Sequence, residues 1–513
     1  MIDLSQPNPP EKPQLLGPLT GSFTLIHFLV ILFLVFIAYG YPSTLLSLNA
    51  DDVIQIQPAS NDTTTFLSVG RWGYYLVFET ILKASPGGWI AAFFGSLALC
   101  VSGWIMSREC RLKTALSVSL FIGLGSVSLP YVYLFSFDST RLACSVGVFI
   151  SVLAIALVRK YRVWSVGLGL ALLTAAPSFY PASLQVAVTF IILAAIADFR
   201  IATTRKLVFT LLLGGLAVLV AGVLYSFLNR FFQELLGIWP NPRVSFHIPL
   251  NLNDIVERIL IASDRTLPSF LGYSHGFPKP TWVQWVVWIF GFLFLYSLLR
   301  RVNGENWVRN SGILIILIFG MLVAPMSLSL IAPPQERFPP RTMIAIPIVY
   351  AYWIAFPLEA FSLKRISLRP RIFISIFVGL ALMPILYFAH SLVFSNTHAY
   401  DEFLATQEDL FRVNRITAAV EQKLGEEMKA LPNQIPLVVI GGRNTLAGPR
   451  GRVGSARFAG WSREWIFRFT DRRFDPLAGP ERSAIVKKAG SGPTWPHPDS
   501  IEIFGETVVV RLP

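Results

Sequence analysis

Eleven stretches of this chain are almost free of charge, and each approaches the roughly twenty residues an α-helix needs to cross a bilayer. They fall at about 23–46, 88–106, 114–135, 142–158, 163–179, 181–197, 207–227, 282–299, 311–332, 343–363 and 372–394. Nothing constrains the fold more, because in lipid every backbone polar group must be satisfied within its own segment. The expectation is a polytopic α-helical membrane protein of about eleven spans. Composition agrees, with 53% of the 513 residues hydrophobic and 14% charged, where a soluble chain is about a quarter charged. Pro177 and Pro181 interrupt the apolar pattern and predict a tight turn. The first run follows a proline-rich tail without a small-residue cleavage site, so it reads as a retained span.

The loops between the runs differ in charge. SRECRLK (107–113), RKYR (159–162), DFRIATTRK (198–206), RRVNGENWVRN (300–310) and KRISLRPR (364–371) are rich in lysine and arginine. The intervening loops carry Asp51, Asp52, Asp62, Glu79, Asp138, Asp254, Glu257, Asp264 and Glu336. Basic loops stay in the cytoplasm, so the N-terminus is expected inside and the acidic loops outside. This also disposes of the net charge of +13, which orients the chain in the membrane rather than recruiting nucleic acid. Past residue 394 the apolar runs stop. Residues 400–430 show an amphipathic helical pattern, LVVIGG (437–442) reads as a buried strand, and IEIFGETVVVRLP reads as two short strands around Gly505 and Glu506. Two domains are expected: a transmembrane part, 1–394, and a small extracytoplasmic α/β domain, 395–513.

The sequence excludes several chemistries. There is no P-loop, no DxD triplet, no HExxH and no histidine pair at ligand spacing. GGRNTLAGPRG, after the 437–442 strand, lacks GxGxxG spacing. Cys100, Cys110 and Cys144 lie in or beside apolar runs, which gives no disulfide framework. No cofactor is required, and a divalent metal is permitted but not indicated. What remains is carboxylates and arginines gathered on one side. Asp51 and Asp52 follow the first span, and either can be a solvated loop residue, a helix cap or a general base at the mouth of a membrane cavity. Neighbouring side chains diverge in a helix and in a strand, so only one of the pair is expected to reach a reacting hydroxyl. Phe66 to Leu82 predicts one helix along the membrane interface, with Arg71, Tyr75 and Glu79 on one face. Arg71, Arg141, Arg337 and Arg341 all approach the outer side, where a planar guanidinium suits either a lipid headgroup or a substrate phosphate. Asp138, beside Arg141, repeats the acid-plus-arginine combination. Tyr180, Gln185 and Glu336 add groups for a sugar or acceptor, with Tyr180 equally an aromatic-belt residue.

The first-loop DD with GRW downstream, the many spans, the arginine near PPR and the α/β tail with its VVIGG strand together resemble one group. This is the serotype-converting O-antigen glucosyltransferases of bacterial membranes (Gtr type), within the wider GT-C class. The resemblance implies an enzyme of the bacterial inner membrane that moves a sugar, often glucose, from a polyprenyl phosphate carrier to an outer-face glycan or lipid-linked polysaccharide. The family's first-loop acid falls on Asp51 or Asp52, and its downstream arginine on Arg71. A lipid-phosphate donor also explains the absence of nucleotide motifs. The alternative is a glycolipid flippase or transporter, which tends to place ionisable groups mid-span and to show repeated halves. Neither is visible in this sequence.

Overall fold

The computed structural model describes residues 22–44, 64–81, 88–135, 138–199, 204–239, 251–270, 281–300, 307–327, 342–363, 370–425, 434–441, 445–448, 451–454, 463–471, 473–477 and 479–512. The apolar runs of the sequence fall on helices, the run at 114–135 on two. In chain order these are α1 (Leu25–Thr44), the short α2 (Thr64–Ser68) and α3 (Trp72–Tyr74), α4 (Gly88–Glu109), α5 (Ala115–Ser126), α6 (Leu129–Phe135), α7 (Asp138–Val158), α8 (Val163–Phe179), α9 (Ser183–Asp198) and α10 (Thr204–Leu235). They continue with α11 (Leu252–Phe270), α12 (Thr281–Leu299), α13 (Trp307–Val323), α14 (Ile346–Leu363) and α15 (Pro370–Leu424). Six of the described helices are long and apolar enough to cross a membrane, and five more carry shorter apolar stretches, of 10–17 residues. This is a membrane protein built from helices.

The bundle is layered around α9, whose residues are buried almost throughout. It packs against α7, α10 and α13, while α7 also lies along α4 and α8, and α5 along α14. Lipid tails are as apolar as leucine, so close backbone approach rather than hydrophobicity joins such helices. Gly169 and Gly147 supply it: a Cβ at Gly169 would stand 2.8 Å from the Ala154 carbonyl, and one at Gly147 would stand 3.2 Å from that of Ala176. The periphery is apolar and open, with Leu212, Phe292, Phe319 and Leu386 exposed as lipid-facing residues are.

At the end of the bundle that carries the basic loops, ion pairs tie the helices together. Arg159 contacts Glu109 at 2.9 Å and Asp198 at 3.0 Å, and Arg111 meets Asp198 at 2.9 Å. Buried Glu359 of α14 caps α5 from outside, accepting from the Thr114 amide at 2.9 Å, the Lys113 amide at 3.1 Å and the hydroxyls of Thr114 and Ser117. A carboxylate over a helix N-terminus satisfies orphan amides and complements the helix dipole.

α15 runs 55 residues without a break, so the expected boundary at 394/395 falls inside one helix. It passes α1 where the Ser395 hydroxyl donates to the Ala38 carbonyl at 2.7 Å, then projects beyond the acidic-loop end of the bundle. Just past that point His398 lies near Glu402, 3.4 Å away. Burial pushes the His398 imidazole down, but Glu402 and Asp401 outweigh it and raise it above the usual histidine range. Farther along, Val413, Ile416 and Val420 enter a core made with the sheet. Leu404 and Phe411, which the periodicity assigns to the same face, are exposed. A step of five residues from Phe411 to Ile416 turns the helix well past its buried stripe.

The sheet has the order β4-β1-β6-β5, formed by β1 (Ile435–Ile440), β4 (Phe474–Pro476), β5 (Ile501–Phe504) and β6 (Thr507–Arg511). β1 pairs parallel with β4 and β6, and β5 pairs antiparallel with β6 around Gly505 and Glu506, as the sequence predicts. Between β1 and β4 stand the hairpin β2 (Thr445–Gly448) and β3 (Gly451–Gly454) and helix α16 (Arg463–Thr470); α17 (Gly479–Ala489) follows β4. Arg511, buried in β6, donates to both oxygens of Glu502 at 2.8 and 2.9 Å, and this holds the Glu502 carboxyl below its usual range. Lys423 at the end of α15 donates to the Ile501 and Pro498 carbonyls, and Arg473 pairs with Glu421, fastening the sheet to the helix. Burial pushes Asp471 up, but hydrogen bonds from Arg473 prevail and hold it low.

Candidate active site

The acidic-loop end of the bundle is organised by a broken helix. The sequence predicts one interfacial helix over Phe66–Leu82; instead α2 stops at Ser68 and the chain restarts as α3, which runs into a π-helix, Tyr75–Ile81. The break is a glycine cap. Gly70 sits at φ +81°, its amide donates to the Leu67 carbonyl at 3.0 Å, and the Arg71 amide donates to Phe66 at 2.8 Å. This paired pattern, with glycine in the left-handed position, is the Schellman termination. α10 locks it. The Tyr225 hydroxyl donates to the Gly70 carbonyl at 2.9 Å, and the Gln233 amide donates to Leu67 at 3.0 Å and Ser68 at 3.3 Å.

The turn delivers Arg71 to the ends of α8 and α10. Its guanidinium lies 5.3 Å from the centroid of the Tyr180 ring and 6.0 Å from that of Phe66. Aromatic faces attract a cation most where water is scarce, and Tyr180 is buried. Gly73 lets α3 press onto α8, since a Cβ there would overlap the Ser178 hydroxyl. The Trp72 ring stacks on Phe232 at 5.1 Å. Arg71 and Tyr180, chosen separately from the sequence, are therefore brought together beside Ser178.

Arg141 holds a second set of ends. Buried in the first turn of α7, it donates to the Phe135 carbonyl at 2.8 Å, the Gly88 carbonyl at 3.2 Å and the Ser43 hydroxyl. It thereby joins the end of α1, the start of α4 and the end of α6. Asp138 is the first residue of α7. Gln185, also buried, sets its side-chain amide against the carbonyls of Thr342 at 2.7 Å and Pro325 at 3.2 Å, and the nitrogen is assigned to that side because only it can donate to them. Those two residues flank the segment that contains PPQERFPPR, so Gln185 fixes where that segment leaves and rejoins the bundle. Asp51, Asp52, Glu336, Arg337 and Arg341 lie outside the described residues. Among the described residues no group of three or more His, Cys, Asp or Glu side chains is placed to hold a metal ion.

Sequence reasoning missed Tyr225 and Gln233. Both lie on α10, and Gln233 lies beyond the expected end of that span at 227; the only signal was a helical periodicity that continues through Leu235.

The comparisons bear on the same stretch. A family model described as "Glucosyl transferase GtrII" matches residues 43–358, from the end of α1 into α14. No curated protein and no solved structure matches the chain. The match spans more than half of the chain and takes in the Arg71 turn, Arg141, Tyr180 and Gln185; the chain belongs to the GtrII glucosyl transferase family.

Proposed function

We propose that this membrane glycosyltransferase carries glucose from a polyprenyl phosphate carrier to a glycan or lipid-linked polysaccharide on the outer face of the bacterial inner membrane. In this reading the eleven apolar helices cross the bilayer, the N-terminus is cytoplasmic, and the acidic-loop end and the sheet lie outside. Asp51 or Asp52 takes the proton from the acceptor hydroxyl as its oxygen bonds to the anomeric carbon. The bond from that carbon to the phosphate oxygen breaks, and the polyprenyl phosphate leaves with the electron pair. Arg71, Arg337 and Arg341 stabilise the charge that grows on the phosphate, the preorganised electrostatics that contributes most to such transfers. Arg141 holds the ends that bracket the first loop, and Asp138, Tyr180, Gln185 and Glu336 stand by for sugar and acceptor. No cofactor enters the scheme.

The observation that carries the reading is the Arg71 turn. A guanidinium is positioned against buried aromatic faces by a glycine cap and two α10 side chains, and it lies inside the family match. The test uses membrane vesicles holding the full chain, polyprenyl-phosphate-glucose and acceptor. Asp51→Asn and Asp52→Asn are each expected to insert normally, and at least one is expected to lose transfer. Full activity in both overturns the general-base assignment.

A further inference from the structure

α11 reads, at first sight, as a helix that should not be standing where it is. Leu252, Ile255, Val256, Ile259 and Leu260 recur at steps of three and one, so they form a single face; Asn253, Asp254, Glu257 and Arg258 take the other. In a water-soluble fold such a stripe is buried. Here Leu252 is 74% exposed, Val256 47% and Leu260 64%. The helix is also too polar to be a span. Its 19 residues include Asp254, Glu257, Arg258, Asp264 and Arg265, and it is not among the helices apolar enough to cross.

Its depth is set by its neighbours. α11 packs against the 3₁₀ turn Ala324–Met326 that ends α13, so it lies at the acidic-loop end of the bundle, level with the ends of membrane-crossing helices. The preceding helix, α10, ends in exposed Phe231 and Leu235, with Trp239 following, and α12 opens with Trp282 and Trp285. Tryptophans at span ends mark the boundary between acyl chains and headgroups. An open apolar stripe at that level lies at the depth of this boundary.

We propose that α11 is an in-plane helix embedded in the leaflet on the acidic-loop side, with Leu252, Ile255, Val256 and Leu260 in the boundary between acyl chains and headgroups and Asp254 and Glu257 toward water. Its partner is the lipid surface itself. The charged residues of α11 are mixed in sign and slightly acidic, so apolar contact rather than attraction to anionic headgroups holds it there. The inference is independent of the sugar-transfer reading and of which leaflet faces outward.

The test is fluorescence quenching on the full chain in liposomes. Val256→Cys, Leu252→Cys and Asp254→Cys carry an environment-sensitive dye, and the unmodified chain is the blank because Cys100, Cys110 and Cys144 are buried. Doxyl-labelled lipid is expected to quench the dye at 256 and 252 severalfold more than at 254, with aqueous iodide showing the reverse order. The pattern should be the same in phosphatidylcholine alone and after phosphatidylglycerol is added. Three outcomes overturn the proposal. Iodide reaching all three positions equally means a solvated helix. Protection at 256 and 252 from both quenchers means that protein, a second copy or the sheet, covers the stripe. Lipid quenching only with phosphatidylglycerol means electrostatic recruitment.

Discussion

Gly70 is the residue on which the candidate site turns. Its φ of +81° and the nearness of the Tyr225 hydroxyl leave no room for a side chain. An L-residue in the left-handed region costs about 1–2 kcal/mol. Gly70→Ala is therefore expected to lower the melting temperature of the detergent-solubilised protein and to weaken sugar transfer. Combining it with Tyr225→Phe should recover part of the loss, since the overlap is relieved while the backbone strain and the missing Tyr225 hydrogen bond to Gly70 remain. Gly222→Ala on α10, where a Cβ meets nothing within 4 Å, is the control and should leave both readouts unchanged or raise stability slightly. At the opposite end, Glu359 answers four donors at once. Glu359→Ala leaves the Thr114 and Lys113 amides without that acceptor and is expected to cost about 2–3 kcal/mol, read as a fall in melting midpoint. Glu359→Gln, which keeps one carbonyl acceptor, should cost less.

Among the elements, those whose cause is local were legible in the sequence, and those whose cause is distant were not. Apolar length alone marks the long helices, and the Gly505–Glu506 hairpin follows from its flanking alternation. The break between α2 and α3 was invisible because its lock, Tyr225, lies 155 residues away. α11 was present as a periodic pattern inside a stretch treated as loop, and its stripe is recognisable only once it is seen to be open. Of the candidate site, the sequence offered Arg71 and Tyr180 as separate candidates without their contact, and Arg141 as suited to a lipid headgroup or a phosphate without the three protein oxygens that receive its hydrogen bonds. Gln185, proposed to stand by for sugar or acceptor, is also a clasp on Pro325 and Thr342, which the sequence did not show. Gln185→Ala is expected to raise the KM for lipid-linked donor severalfold with a smaller change in kcat, because the segment between those carbonyls loses its fixed ends. An unchanged KM would separate Gln185 from donor binding.

At the scale of the whole molecule, bundle and sheet are stabilised by different physics, and acid should separate them. Hydrogen bonds from Arg511 hold Glu502 below its usual range, and Asp471 is held low by Arg473. A depressed carboxylate contributes stability that is fully present above its unfolded pKa, about 4.3 for glutamate, and is lost as pH falls through the folded value. Amide exchange in β5 and β6, corrected for intrinsic rates, is expected to speed up below about pH 4 while α7 and α9 remain protected, and Glu502→Gln should remove most of that pH dependence. Among the described residues, α15 carries the sheet through its Val413, Ile416 and Val420 stripe and through the contacts of Lys423 with Ile501 and Arg473 with Glu421. A helix of 55 residues is about 80 Å long. It behaves as a ruler with a built-in compass: each residue added between Ser395 and Val413 lifts the sheet by about 1.5 Å and swings it by about 100° around the axis. Height and heading relative to α1 are thus one variable, written in the number of residues between the serine of α15 that meets α1 and a valine in the sheet's core.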